Sequence, residues 1–387
     1  MVEPPSTPFR RDRLTWVAYV MLAWFAYLQA APGLVLVYLR DELDLSYSTG
    51  GLHVAAFAAG SLVAGVISAR LERVLGRRTL FWSAAAVMAA GTIGLTVARV
   101  VPATVGSVLA MGLGGGLLLV TIQAALADHH GARRAVALTE ANVAAAVAYV
   151  VLIGFLSLTA AVHLGWRVAL LICLLVPLLL WWGNRRLAID APPPSRVEHD
   201  RLPAVFWVAA VMLFCMVAVE WCITAWGATF VADAAGVAAD VAVGLMAGYF
   251  GGVVAGRALG SRLTRRYEPE RLLVVALAVT AAGFAVLWPS TGPVQALAGL
   301  ALLGIGLGNL FPLGLAVTVG LAPDRAALAS ARAVGATSFA VLIAPLTVGT
   351  LADATSLTAA LGVVPVGLAL AATGLWITVR GRSRTAR

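Results

Sequence analysis

Residues 204–231 read AVFWVAAVMLFCMVAVEWCITAWGATFV, a run that contains a single charged side chain, Glu220. The hydrocarbon core of a bilayer is about 30 Å thick, and a helix that crosses it needs about 20 predominantly apolar residues. The run is therefore long enough to predict a transmembrane helix.

Similar runs recur along the whole chain. Of its 387 residues, 61% are hydrophobic and 12% are charged, whereas soluble domains carry about 25% charged residues. The pattern predicts an all-α integral membrane protein with twelve transmembrane helices and no room for a soluble catalytic domain, so we do not expect an enzyme. The predicted spans are 14–39, 49–69, 79–98, 103–127, 135–161, 165–183, 204–231, 241–261, 271–289, 293–320, 328–350 and 356–379.

The distribution of arginine predicts the orientation in the membrane. The net charge is +9, and all 27 basic residues are arginines. Basic residues are retained on the cytoplasmic side of short loops. Since 22 of the 27 arginines precede the first span, follow even-numbered spans or lie at the C-terminal end, we predict a multi-pass protein of the cell membrane with both termini cytoplasmic. The basic excess therefore does not indicate a nucleic-acid partner.

The chain also divides into two similar halves. Residues 184–203 form the longest polar interruption, with three prolines at 192–194, and predict a cytoplasmic linker between six-helix bundles at 1–183 and 204–387. Transporters built from such repeats bind their substrate near the membrane midplane between the repeats. Short matches recur at an offset of 190 to 192 residues, among them Val63-Ala64-Gly65 with Val254-Ala255-Gly256, and Gly112, Gly114 and Gly116 with Gly304, Gly306 and Gly308.

The loop after span 2 contains Gly65, Arg70 and the sequence Gly76-Arg77-Arg78. Together with the twelve spans, this loop resembles the cytoplasmic signature of the major facilitator superfamily. Ala69 stands where that family usually has Asp, and extra residues separate Arg70 from Gly76. The resemblance implies two pseudosymmetric bundles that rock about a central site, and a gating role for the matching residues Gly65, Arg70, Gly76 and Arg77.

Two further patterns are similar to the branch of the superfamily that contains fucose:proton symporters. Span 7 has Glu220 followed six residues later by Trp226, and span 10 has the segment Gly304–Pro312. The Gly-Pro pair of proton-driven drug antiporters is missing from span 5, because residues 144–154 contain no proline. The resemblance therefore favours symport over drug export.

Glu220 is the clearest candidate for a mechanistic residue. At about 1.5 Å per residue, it lies about 24 Å from the start of span 7, near the midplane. An ionisable group at this depth costs at least about 2.5 to 3.5 kcal/mol and marks a functional site by default. Because burial favours the protonated form of a carboxylate, we predict that Glu220 couples proton movement to transport and contacts substrate; the alternative is a structural carboxylate. Its counterpart in the first half is Gln29, a neutral residue that we also expect to contact substrate.

Three other residues are candidate substrate contacts. In the superfamily, spans 1, 4, 7 and 10 line the cavity, which implies contacts from Gln123 and Asn309. Trp226 lies about 120° around the helix from Glu220 at 100° per residue. It either stacks on a substrate ring or belongs to the aromatic belt at the membrane surface.

A second polar set is predicted in the cytoplasmic third of the membrane and forms the candidate gate. It consists of Glu140, Asn142, Arg257 and Arg332. Spans 5 and 8 meet between the bundles in the superfamily, so we expect a Glu140–Arg257 ion pair to close the cytoplasmic side when the protein faces outward. The alternative is that Arg257 and Arg332 extend to the lipid headgroups.

These patterns together predict a secondary active transporter that works by proton-coupled alternating access. We expect symport of a small sugar-like or other polar metabolite, with proton-driven export of drugs or secondary metabolites as the alternative. A receptor without transport activity is less consistent with such short loops. The expected partners are substrate, protons and the lipid bilayer, with no metal or cofactor, and we expect a monomer.

Overall fold

The computed structural model describes residues 10–189 and 202–385, and those residues form helices joined by short turns. Twelve helical segments are long and apolar enough to cross a membrane. The helices of the first half are α1 (Arg13–Leu43), α2 (Tyr47–Leu75), α3 (Arg77–Val97), α4 (Val101–His130), α5 (Arg134–Ala161), α6 (Trp166–Ile172) and α7 (Leu175–Asn184). Those of the second half are α8 (Ala204–Ala235), α9 (Ala239–Leu263), α10 (Pro269–Leu287), α11 (Pro293–Val319), α12 (Ala326–Ala354), α13 (Leu357–Ala360) and α14 (Val363–Thr385).

Every predicted span is confirmed, but the sixth and the twelfth are each broken into two helices. Pro177 lacks an N–H group, so it cannot donate to the carbonyl four residues earlier. That carbonyl belongs to Cys173, where α6 ends. Pro365 stands in the same relation to Leu361, which separates α13 from α14. Both breaks therefore follow from a proline in the first turn of the second helix.

The contacts of the two glycine ladders confirm that the bundles are pseudosymmetric. A Cβ atom on Gly112 of α4 would overlap the carbonyl group of Phe57 on α2. A Cβ atom on Gly304 of α11 would overlap the carbonyl oxygen of Tyr249 on α9. Both residues of the second pair lie 192 positions after those of the first. The repeat thus preserves helix contacts, in which small residues let backbones approach closely.

The two bundles meet along a few helices. The bundles are joined by packing of α1 against α8, α2 against α12 and α5 against α9. Helix α1 is the most enclosed of the spans, whereas the α6–α7 span is the most exposed. The interface therefore consists of helices whose apolar faces are covered by protein, and the functional site lies among them.

The predicted linker falls largely outside the described residues. Asn184 ends α7, and α8 begins directly after Pro203, while residues 190–201 are not described. The domain boundaries at 183 and 204 stay a prediction.

The α2–α4 contact can be tested with two glycines of the same helix. We expect Gly112→Ala to destabilise the protein by about 1 to 3 kcal/mol, because the added methyl overpacks the contact with α2. Gly106→Ala is the matched control, since no atom lies within 4 Å of a Cβ at that position. Thermal unfolding of the purified protein in detergent measures both. Equal melting temperatures for the two variants would contradict the packing.

Candidate functional site

A small cavity lies between the bundles, near the middle of the helices that form it. Its volume is about 50 Å³, which is room for a few water molecules. The walls come from α1 and α5 of the first bundle and from α8 and α9 of the second. The lining residues are Gln29, Ala30, Tyr149, Glu220, Trp221, Thr224, Tyr249, Phe250, Val253 and Arg257. The cavity therefore draws on both halves.

Glu220 and Gln29 both line this cavity, and they are separated by 191 positions, the offset of the repeat. The pseudo-twofold relation between the halves thus brings an acid and its neutral counterpart to one place. The carboxylate of Glu220 forms no ion pair and no side-chain hydrogen bond with any residue of the ranges 10–189 and 202–385. It is thus available to a proton or a solute that enters the cavity.

Hydrogen bonds hold the walls of the cavity in place. The hydroxyl of Tyr149 donates to Oε1 of Gln29 over 3.1 Å. Thr224 donates to the backbone carbonyl of Glu220 over 2.9 Å and shares a 3.1 Å contact with the hydroxyl of Tyr249. The rings of Tyr149 and Phe250 pack with their centroids 5.1 Å apart. The cavity combines an aromatic wall with several hydroxyl groups.

Arg257 lies in this cavity and not in the separate cytoplasmic layer in which we predicted it. Counted from the loop between α8 and α9, Glu220 lies 15 residues along α8 and Arg257 lies 18 residues along α9. The prediction measured the depth of Glu220 from the N-terminal end of α8. Because α8 is longer than α9, this placed Glu220 and Arg257 too far apart. Nε of Arg257 donates to the carbonyl of Gly308 on α11 over 3.3 Å.

Trp226 does not line the cavity in this structure, so its role as a substrate contact stays a prediction. Its side chain is fully buried, and Nε1 donates to the carbonyl of Pro345 over 3.0 Å. Its ring packs against Tyr47 of the first bundle, with centroids 5.8 Å apart. The tryptophan in the cavity wall is instead Trp221.

Asn309 and Gln123 are also not brought to the cavity. Nδ2 of Asn309 donates to the carbonyl of Gly256 over 2.7 Å, which joins α11 to α9. An amide buried between helices needs such a partner, so this asparagine has a packing role. Gln123 is exposed on α4 and is not among the lining residues.

The candidate gate is not assembled in this conformation. Glu140 accepts hydrogen bonds from Arg11 at 2.6 and 2.8 Å and from the hydroxyl of Tyr19 at 3.1 Å. The bond to Glu140 raises the pKa of the Arg11 guanidinium above its ordinary value. Asn142 and Arg332 are exposed, and Asn142 donates to the carbonyl of Leu138 in its own helix. The Glu140–Arg257 pair stays a prediction for the outward-facing state.

The signature loop contains an ion-pair network that replaces the missing acid at Ala69. Arg77 is buried and contacts Glu72 at 2.8 Å and Asp128, at the end of α4, at 2.7 Å. Glu72, three residues after Ala69, thus supplies a carboxylate that the sequence comparison did not identify. Gly76 has φ of 76° and ends α2. Gly65 has no neighbour within 4 Å of a Cβ position, and Arg70 is exposed.

We expect Glu72→Gln to destabilise the protein by about 1.5 to 3 kcal/mol, because it removes a charge-assisted hydrogen bond from a buried guanidinium. Glu268→Gln is the control, since Glu268 and Arg271 form a 3.6 Å pair whose side chains are both more than 70% exposed. Exposed pairs contribute about 0 to 1 kcal/mol. Thermal unfolding of both variants checks this. A Glu268→Gln shift as large as that of Glu72→Gln would refute the role of Glu72.

The bundles are held together at the end of the molecule opposite to the termini. Asp353, near the end of α12, accepts hydrogen bonds from the backbone N–H groups of Tyr47 at 2.7 Å and Ser48 at 2.8 Å. These groups lie in the first turn of α2, where N–H groups lack partners within the helix and the helix dipole favours a negative charge. The hydroxyl of Tyr47 also donates to Asp233 of α8 over 2.9 Å. We call this contact the interbundle cap.

The bundles separate toward the other end. Among the described residues, α4 packs at most weakly against α11 and α12, although all three reach the side that carries the termini. The cavity is therefore closed at the end with the interbundle cap.

We expect Asp353→Asn to shift the equilibrium toward a state that is open at the capped end. Hydrogen bonds to a charged group are worth about 1.5 to 3 kcal/mol, so the shift should be about 10- to 100-fold. Electron paramagnetic resonance distances between spin labels in the α1–α2 and α8–α9 loops measure it. Asp324→Asn, an exposed change near the start of α12, is the control. Unchanged distance distributions in Asp353→Asn would show that the cap does not hold this end closed.

A larger groove lies elsewhere on the surface. It has a volume of about 1140 Å³ and runs between α10 and α14. Its walls are mostly apolar, with residues such as Val274, Leu368 and Trp376, and it shares no residue with the cavity. Such a lining suits lipid acyl chains and not a polar solute.

The comparisons with known proteins agree with this architecture. Residues 15–297 match the sequence profile of the Major Facilitator Superfamily, and the chain belongs to this family. It is a multi-pass membrane protein with a transporter fold, not an enzyme fold. No curated protein sequence matches the chain.

Several solved transporters share the fold at low sequence identity. A bacterial homologue of the human lysosomal transporter Spinster, in an inward-facing and occupied conformation, has a TM-score of 0.77 and 14% identity, with 96% of this chain and 98% of that chain covered. A variant of the nucleoside transporter NupG has a TM-score of 0.75 and 11% identity, with coverage of 95% and 99%. A D-xylose-proton symporter has a TM-score of 0.75 and 16% identity, with coverage of 94% and 96%.

Sequence reasoning missed several residues of the site. Tyr149, Tyr249 and Phe250 form its aromatic wall, and Asp353 forms the interbundle cap. Tyr149 and Tyr249 could have been identified from the sequence, because spans 5 and 8 were expected to meet and each contains one of these tyrosines near its middle. Nothing in the sequence identifies Asp353 as part of the site, since it lies at the end of a span, where charged residues are common.

Proposed function

We propose that this protein is a secondary active transporter that couples the movement of a small polar organic solute to that of protons by symport, with Glu220 as the coupling acid. The observation that supports this most is the cavity between the bundles. It contains an ionisable group without a partner in the described chain, at a depth where such groups are costly and mark proton or substrate pathways. Gln29 and the hydroxyl groups of Tyr149, Thr224 and Tyr249 supply hydrogen-bonding partners for a polar solute.

The conformation supports alternating access. We infer that both termini are cytoplasmic, from the arginine distribution, so that the end with the interbundle cap faces the cell exterior. The structure is then inward-facing. In the outward-facing state, the cap opens and contacts such as the expected Glu140–Arg257 pair form on the cytoplasmic side. Rigid-body rocking of repeats around a central site is the general scheme for such folds.

The size of the cavity disfavours the alternative of drug export. Pockets for drug-sized ligands have volumes of about 300 to 1,000 Å³, whereas this cavity has about 50 Å³. The relation to the fucose:proton symporter branch rests on the Glu220–Trp226 and Gly304–Pro312 patterns, and we use it only in support of proton symport. The hydroxyl and amide groups of the cavity wall suit a small polar metabolite.

Replacing Glu220 by Gln tests the coupling. We expect Glu220→Gln to abolish proton-driven accumulation and to retain exchange of solute across the membrane, because the amide keeps hydrogen bonds but cannot carry the proton. Uptake and counterflow in proteoliposomes with an imposed pH gradient distinguish the two activities. Asp41→Asn, at the exposed end of α1, is the control and should behave as the parent protein does. Uphill uptake by Glu220→Gln at the parental level would exclude Glu220 as the coupling acid.

A further inference from the structure

The central cavity contains one acid and one base. Among the residues that line it, Glu220 carries the only negative charge and Arg257 the only positive charge. Tyr149 of α5 and Tyr249 of α9 are the other titratable groups that line the cavity, whereas α1 contributes Gln29 and Ala30. Helices α11, α12 and α14 also pack against α8 but contribute no residue to the lining. The charge of the cavity is therefore set by Glu220 and Arg257.

The two charges share the cavity without direct contact. No ion pair joins them in the part of the chain that the structure describes. Arg257 has five N–H donors, and its Nε donates to the carbonyl of Gly308 on α11. Because the cavity has room for only a few water molecules, the two groups lie close enough for each to sense the charge of the other.

A carrier must close around this cavity both when it is empty and when it is loaded. Removing an uncompensated ion from water costs several kcal/mol, so closure is favoured when the charges in the cavity sum to zero. The empty cavity meets this condition with Glu220 ionised and Arg257 charged. Once a proton neutralises Glu220, the guanidinium is left uncompensated. A neutral sugar or a zwitterion leaves the loaded cavity with one positive charge, whereas a monoanion restores neutrality.

We propose that the solute transported with the proton is a small organic monoanion whose carboxylate binds the guanidinium of Arg257. This inference rests on the proposed proton symport through Glu220. An ionised Glu220 repels the anion and competes with it for Arg257. The protonated acid does neither and can donate a hydrogen bond to the bound carboxylate. Proton and anion therefore bind together, and the pair crosses the membrane without net charge.

The geometry of the wall fits such a solute. A guanidinium binds a carboxylate through two parallel N–H donors, which gives direction as well as affinity. The paired rings of Tyr149 and Phe250 offer an apolar surface to the carbon chain of the anion. The small volume of the cavity favours an acid of a few carbon atoms.

Binding to the purified protein is the first test. The probes are acetate, L-lactate and pyruvate as monoanions, xylose as a neutral solute and glycine as a zwitterion, each followed by thermal stabilisation at pH 5.5 and 7.5. We expect the monoanions to bind, with affinity that rises by up to about tenfold per pH unit as the pH falls, as uptake of one proton requires. In Glu220→Gln, binding should persist but lose this pH dependence.

Two arginine variants of α9 separate a binding role from a structural one. We expect Arg257→Gln to weaken monoanion binding by about 10- to 100-fold, since the free energy of a hydrogen bond to a charged group corresponds to a change in affinity of that size. Arg262→Gln, an exposed change on the same helix, should leave binding unchanged. Equal monoanion affinity in Arg257→Gln and in the parent protein would overturn the proposal, as would failure of every monoanion to bind.

The charge carried in each cycle is the second test. For an electroneutral pair, the accumulation of the monoanion in proteoliposomes should not change with a potassium diffusion potential imposed by valinomycin. Symport that carries one net charge would change the accumulation ratio by about 50-fold per 100 mV, and that result would overturn the proposal. Proton-driven accumulation of xylose or glycine would overturn it too, while leaving the proposed function intact. If no pH gradient drives uptake of any probe, the proposed function falls together with this inference.

Discussion

The cost of an uncompensated charge in hydrocarbon is the constraint on which the rest of this structure depends. It accounts for the placement of most arginines at the span ends, where water and lipid headgroups solvate them. It also explains why Arg77 is buried between two carboxylates. Glu220 and Arg257 are the residues with acidic and basic side chains that line the central cavity. The same cost that drives the chain to fold into apolar helices thus leaves the cavity as the place for ionic chemistry.

Much of the fold was predictable from the sequence, because the length of each hydrophobic run and the positions of the arginines are read directly along the chain. All twelve spans were located, and the repeat offset correctly paired Gln29 with Glu220. The breaks at Cys173 and Leu361 were not predicted, although Pro177 and Pro365 mark them in the sequence. A proline in an apolar run is common, and the sequence does not show whether the helix continues through it or is broken there.

The candidate site was predicted less completely, because a sequence shows the direction of a side chain on its own helix but not the neighbour that it meets. Asn309 lies on a cavity-lining helix of the superfamily, yet it points to the backbone of Gly256, where a packing contact uses its amide. Trp226 and Trp221 are five residues apart on α8 and point in different directions, and only the positions of the neighbouring helices show that Trp221 lines the cavity while Trp226 packs against Tyr47. Glu72 was overlooked because an inserted turn shifts the acid away from its usual position in the signature loop.

The ring of Trp226 has a further consequence for the tightness of the membrane barrier. It fills the space above the cavity at the capped end, within 3.1 Å of Cβ positions on Gly50 of one bundle and Gly349 of the other. Protons cross proteins along chains of water molecules, and a close-packed indole leaves no room for such a chain. Without this barrier, an acid at the membrane centre would provide an intermediate binding site for protons that leak across the protein without solute. Under the proposed proton coupling, this aromatic plug separates Glu220 from the closed end, so that an ionisable group inside the bilayer does not dissipate the proton gradient.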